Sequence, residues 1–312
     1  MDRVRLHQFS EKLELAGYSR RCCEDYPRVV GHFFDYLDEH EDVELLEQVT
    51  AEHLKAYQTH VQFAHLHKDR PLSVGGVCTR LTPLKTFLRL MHREGLMSQD
   101  LSRFVVLPRH RRHLPRSIPT KEQMRTLLAS ADATTPLGLR DRAILETLYA
   151  TGLRSEELRA LEVDDWDQES NSLLVHGKGS KERVVPLGGW VRPYLHRYLE
   201  KGRPLLVGSP QGGGPQGLFV SKSGRHIARA NLAQMVRRYV KKAGLAAGIT
   251  VHSLRHACAT HLLENGADIR YIQELLGHAD LSATQIYTRV DITSLKAAHH
   301  RYHPREQEAD DA

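Results

Sequence analysis

His252, Arg255, His278 and Tyr287 are the residues of this chain best placed to do chemistry. His252 and Arg255 stand three apart, which puts both on one face of a helix. A planar guanidinium grips two phosphate oxygens at once, an imidazole carries protons, and a phenolate is a nucleophile. No carboxylate belongs to the group and no metal-ligand set is evident. A phosphodiester is the target that suits such a collection.

The stretch that must position these residues, Thr250 to Tyr287, reads as three short helices. Thr250 caps the first, with Leu254, Ala257, Cys258 and Leu262 spaced for one buried face, and Asn265-Gly266 ends it. Asp268 caps the second, whose stripe is Ile269, Ile272, Leu275 and Leu276, and Gly277 stops it. Ser282 with Gln285 has the form of a capping box and opens a third helix carrying Tyr287. Short, tightly punctuated helices fix side chains better than loops do.

Those residues, in the runs H-S-L-R-H, L-L-G-H-A and Y-T, resemble the C-terminal signature of the tyrosine recombinase (phage integrase) family, and in particular its Xer-like members. Two upstream motifs extend the resemblance. Arg154 follows a break at Thr151-Gly152 and begins a helix with Leu158 and Leu161. There it can bind phosphate with the helix N-terminus or pair with Glu156 or Glu157, and position alone leaves both open. A-T-G-L-R-x-x-E-L resembles the family's first catalytic-arginine motif, which implies the phosphate role. Ser172–His176 and Glu182–Pro186 flank Gly177-Lys178-Gly179-Ser180 and form a β-hairpin. Lys178 at its tip is by itself an ordinary solvated turn lysine. G-K-G-x-K-E-R-x-V-P resembles the family's hairpin-lysine motif, with Lys178 the matching residue and Lys181 the substitute if the register differs.

The rest of the chain supplies scaffolding. At 312 residues two domains are expected, and the fold class is mainly α: an N-terminal helical bundle and a mostly α catalytic domain with a small antiparallel sheet. Residues 1–107 carry helical stripes over Ser19–Glu39, from the Thr50 cap and from the Ser73 cap to Gly95, where Pro27 and Pro83 predict late starts or kinks. The resemblance assigns this region to the core DNA-binding domain. Residues 108–119 form a proline-broken basic linker suited to a phosphate backbone, and 120–312 form the catalytic domain. Pro204 to Gly217 reads as an irregular loop, Leu218–Val220 as an added strand, and Asn231–Ala243 as a basic amphipathic helix. Ile292, Leu295, Ala298 and Tyr302 mark a last helix, which the resemblance makes a docking element between protomers.

Composition narrows the function classes. The net charge is +6 with 20 histidines, a weak pointer to nucleic acid. Apolar runs are too short to cross a membrane, the N-terminus lacks a signal-peptide core, and the four cysteines have no metal-ligand spacing, so a cytoplasmic protein with reduced thiols is expected. His252/His256 and His299/His300/His303 lack the Glu of H-E-x-x-H or nearby cysteines, so no metal and no cofactor is expected.

The resemblance implies strand cleavage through a 3′-phosphotyrosyl link on double-stranded DNA, by four protomers in a synapse, with or without a paralogous recombinase. Its implied site is Arg154, Lys178, His252, Arg255, His278 and the nucleophile Tyr287. A type IB topoisomerase-like enzyme and a DNA-binding protein without catalysis are the competing readings.

Overall fold

A computed structural model describes residues 4–41, 43, 45–63, 71–108, 118–177, 182–208, 217–277 and 292–306. The chain divides into two compact units, Met1–His113 and Leu114–Ala312.

Among its described residues the first unit has four helices, Val4–Leu15 (α1), Arg20–His40 (α2), Ala51–Phe63 (α3) and Val74–Arg93 (α4), with short 3-10 turns at Leu46–Gln48 and Leu101–Phe104. Ser19 and Ser73 cap α2 and α4, each accepting a backbone N–H from the first turn. The apolar stripes meet in one core, where Phe9, Phe34 and Phe87 pack edge to face. The two prolines do not delay either helix: Pro27 and Pro83 both lie inside continuous elements. Proline at 27 leaves the Cys23 carbonyl without its usual donor, and the Ser10 hydroxyl of α1 donates to it at 2.9 Å instead. The gap in one helix is thus closed by its neighbour.

The second unit is also mainly helical. Lys121–Ala129 (α5) opens on a Thr120–Gln123 capping box, and Pro136–Thr151 (α6) on Thr135. Ser155–Ala160 (α7) leads into a three-stranded antiparallel sheet: Trp166–Asp167 (β1), Ser172–His176 (β2) and Glu182–Pro186 (β3), in the order β1-β2-β3. The hairpin register pairs Leu174 with Val184 and His176 with Glu182. Arg192–Arg197 (α8) runs through a π turn, Tyr198–Gly202, into Arg203–Val207 (α9). Arg229–Lys242 (α10), Val251–Glu264 (α11), Ile269–Leu276 (α12) and Ile292–Tyr302 (α13) follow.

Two sequence expectations need correcting here. Arg203–Val207 is helical where an irregular loop was expected from Pro204; proline suits a helix's first turn, where no N–H is needed. Leu218–Val220 adds no strand. It is fully buried, but at Val220 side chains hold the backbone: the Tyr198 hydroxyl accepts from Val220 N, and Arg140 donates to the Val220 carbonyl. Only isolated bridges remain, Glu162 to Gly217 and Val220 to His226.

Helix α6 is the centre of this unit. Nearly every side chain from Gly138 to Thr151 is buried, the charged ones included. Asp141 is held by Arg140, Arg238 and the Tyr239 hydroxyl; Glu146 by Arg142, Arg305 and the Trp190 indole. Helix α11 packs against α6, which sets the site residues on a rigid base.

Helix α13 packs on its own unit. Leu295, His299 and His303 are buried, and the two imidazoles stack with Trp190. His299 donates to the Ala150 carbonyl at 2.9 Å.

Candidate active site

Arg154, His252 and Arg255 are brought together by two separate elements, the start of α7 and helix α11. Arg154 is the N-cap of α7, two residues after Gly152, whose φ of +60 closes α6 in the left-handed conformation. A Cβ at Gly152 would lie 2.5 Å from Leu276 Cδ2, so this turn also packs directly against α12. Thr250 caps α11 by accepting from Ser253 N, and the first turns of that helix carry His252 and then Arg255.

The two arginines converge on the last turn of α12. Arg255 is 6% exposed; one terminal nitrogen donates to the Leu276 carbonyl at 2.8 Å, the other to the Gly152 carbonyl at 2.6 Å. Arg154 donates to the Gly277 carbonyl at 3.3 Å and keeps nearly half of its side chain exposed. The C-terminal end of a helix is negative, and this one draws both cations to the residues just before position 278. Burial, and next the charge of Arg154, bring the Arg255 guanidinium down to about 10, which leaves it charged at neutral pH.

Glu157 and Arg183 complete the arrangement, and neither was singled out as a site residue from sequence. The Glu157 carboxylate takes two bonds from Arg183, both of 3.0 Å, and two from Arg154, through its backbone N–H and a terminal nitrogen, both of 2.9 Å. The ion pair considered for Arg154 therefore exists, and it fixes the arginine without burying it. Burial pushes the Glu157 carboxyl up, but the bonds from Arg183 and Arg154 outweigh it and hold the group at about 2. The available signal was the arginine of G-K-G-S-K-E-R, whose partner lies 26 residues back.

His252 lies one turn before Arg255. Burial first, then His256, Arg255 and Arg154, keep its imidazole below the ordinary histidine value, so it is neutral at physiological pH and able to take a proton. Lys178, Lys181, His278 and Tyr287 lie outside the described residues, as do the greater part of the basic linker and the helix expected to carry Tyr287. Among the described residues no group of three His, Cys, Asp or Glu is arranged to hold a metal, and no helix is long and apolar enough to cross a membrane.

The phage integrase family matches this chain over residues 119–293. Tyrosine recombinase XerC 2 of Ralstonia nicotianae is 40% identical over 264 residues, which cover 84% of this chain and 75% of that protein. Tyrosine recombinase XerD of Lacticaseibacillus casei is 40% identical over 239 residues, 77% of this chain and 80% of that protein. Among solved structures, XerH site-specific recombinase in a pre-cleavage complex with a difH substrate aligns with a TM-score of 0.65 at 20% identity, over 99% of this chain and 84% of that one, a likeness of fold. These relatives carry recombinase names, so the topoisomerase-like and the non-catalytic readings are not favoured. Matched over more than half its length by the family, and at 40% identity by two of its named members, the chain belongs to the phage integrase family and is a tyrosine-type site-specific recombinase.

Proposed function

We propose that Arg154, Lys178, His252, Arg255, His278 and Tyr287 surround one scissile phosphate of double-stranded DNA. The convergence of Arg154 and Arg255 on the end of α12, immediately before His278, supports this most directly. The arginines neutralise charge that builds on the non-bridging oxygens, a contribution of about 3 kcal/mol for a fixed donor aimed at a transition state. The Tyr287 oxygen attacks phosphorus and its proton passes to His252, because a phenol with a pKa of about 10 is a poor nucleophile at neutral pH. The 5′ oxygen departs with a proton from Lys178, and His278 donates to a phosphate oxygen. A 3′-phosphotyrosyl link and a free 5′ hydroxyl result. The link conserves the phosphodiester energy, so a second DNA end reverses the step without a nucleotide cofactor.

In this reading residues 1–107 bind core DNA, 108–119 track the backbone between the units, and 120–312 carry the chemistry. Four protomers exchange strands pairwise through a Holliday junction, alone or with a paralogous recombinase, and α13 also docks between protomers. A cytoplasmic location is consistent with a DNA substrate.

The experiment begins by sequencing DNA recovered covalently bound to the protein from cells, which supplies the site. On a nicked duplex bearing that site, the wild type is expected to form an adduct, whereas Tyr287→Phe binds without forming one. Adduct from the Phe variant would remove Tyr287 from its role. Lys178→Ala is expected to regain cleavage on a 5′-phosphorothiolate, whose leaving group needs no proton; without rescue, Lys181 becomes the candidate acid.

A further inference from the structure

His256 lies on α11 one turn after His252, and its Nε2 is 2.9 Å from the Nε2 of His252, with the rings edge to face. At that separation one nitrogen donates and the other accepts; two N–H groups cannot face each other, so the pair carries at most one positive charge. His252 Nε2 is therefore occupied. Among the described residues, Nδ1 of His252 has no hydrogen-bond partner.

We propose that His256 is a positioning residue for His252: it accepts the Nε2–H of His252, fixes that tautomer, and leaves Nδ1 as the nitrogen that takes the nucleophile's proton. This rests on the reading of His252 as the proton acceptor. For Nδ1 to accept, the one proton of neutral His252 must sit on Nε2, and His256 must then carry its own on Nδ1. When Nδ1 takes the phenol proton, His252 becomes an imidazolium whose Nε2–H already has an acceptor in place. No reorganisation is required at that moment, which is the function of an orienting partner behind a histidine base. The charges facing the pair are Arg255 on the same helix and Arg154 from the start of α7, and both oppose a second positive charge. A neutral acceptor at position 256 suits a site with two arginines, because it orients the imidazole without cancelling their charge.

Nitrogen-15 spectra of the full chain with labelled histidine test the arrangement directly, without DNA. With both rings neutral, His252 is expected to carry its proton on Nε2 and His256 on Nδ1; the reverse pattern overturns the proposal. Kinetics on the nicked duplex test the consequence. His256→Leu is expected to slow adduct formation at least about tenfold, part of the ~100- to 10,000-fold available from a positioned base. His256→Gln, whose amide oxygen can accept, restores the rate to within about threefold, and His256→Leu costs nothing further in a His252→Ala background. A Leu variant at full rate, or an equal cost in both backgrounds, overturns the role. A His252→Ala protein at full rate overturns the base assignment itself and the positioning role with it; the spectra tell those two failures apart.

Discussion

Arg183 and Glu157 meet through two parallel N–H···O bonds of 3.0 Å each, joining the hairpin strand β3 to helix α7. The same carboxylate holds Arg154, and Arg183 Nε also donates to the Leu275 carbonyl of α12, at 3.4 Å. One buried carboxylate therefore ties three elements of the site together.

Replacing that carboxylate leaves two guanidinium groups without their counter-charge. Glu157→Ala is expected to destabilise the protein by about 3–5 kcal/mol, the cost of breaking a buried pair from one side. It also releases Arg154, so adduct formation falls even where the variant is folded. The native carboxyl sits near 2, against 4.5 for an unperturbed one. A depressed acid contributes stability that is complete above its unfolded value and is lost as pH falls through the folded one. Urea unfolding of the wild type is therefore expected to weaken between about pH 4.5 and 2, by roughly 3 kcal/mol from this group, and Glu157→Gln removes that share of the slope.

The local structure around Arg154, His252 and Arg255 is legible in the sequence, and the boundary of what is legible has a physical cause. The Thr250 cap, the Asn265-Gly266 stop and the Asp268-to-Gly277 helix were legible because capping and left-handed glycine are local. Arg154 and Arg255 could be named as residues, but their meeting at Leu276 and Gly277 spans more than a hundred residues of chain and has no local signature. Pro27 does not delay α2, because its missing bond is replaced from α1, and Leu218–Val220 looks like a strand because it is a buried apolar run, although side chains take the backbone bonds of Val220. In the sequence His299 and His303 are weighed only as metal ligands and set aside; nothing local marks them as the core residues stacked on Trp190 that they are.

Gly152 has no room for a side chain. Gly152→Ala places a methyl where Leu276 now sits and puts a side chain in the left-handed region. A loss of about 1–3 kcal/mol is expected, together with slower cleavage, since Arg255 donates to the carbonyl of this residue. Trimming the obstruction with Leu276→Ala in the same protein is expected to recover part of the activity but not the backbone cost. If the double variant is no more active than Gly152→Ala, contact with α12 is not the reason this residue is glycine.

The buried histidines of α13 and the residue after it make stability depend on pH in a different window. Burial holds His299 down at about 4 and His303 well below the ordinary value. Both are neutral in the native state, whereas in the unfolded chain they take up protons below about pH 6.5. The unfolded state then binds more protons, so stability is complete above about pH 6.5 and declines as pH falls toward 4. The share from His299 alone is roughly 3 kcal/mol at the lower end. His299→Phe keeps a ring on Trp190 but cannot titrate; its urea midpoint is expected to be lower at neutral pH, for want of the bond to Ala150, and flatter between pH 6.5 and 4. An unchanged slope would mean that α13 releases His299 before the fold gives way.

Arg154 and Arg255 are proposed for the same chemistry but sit in unlike surroundings, and that difference separates catalysis from stability. Either alanine variant is expected to lower the rate of adduct formation at least about a hundredfold, the loss typical of a fixed transition-state donor. Stability should divide them. Arg255 is buried and bridges the carbonyls of Gly152 and Leu276, so Arg255→Ala strands two acceptors and opens a gap, at about 2–4 kcal/mol. Arg154 is nearly half exposed, and Glu157 keeps Arg183 when Arg154 is gone, so Arg154→Ala is expected to cost no more than about 1 kcal/mol. Lysine at 255 should fail as alanine does, because a single ammonium cannot span two carbonyls and a phosphate. Chemical unfolding of the four proteins, alongside single-turnover cleavage of the nicked duplex, checks both halves. Equal destabilisation by the two alanine variants would mean that Arg154 has a structural part its exposure does not reveal.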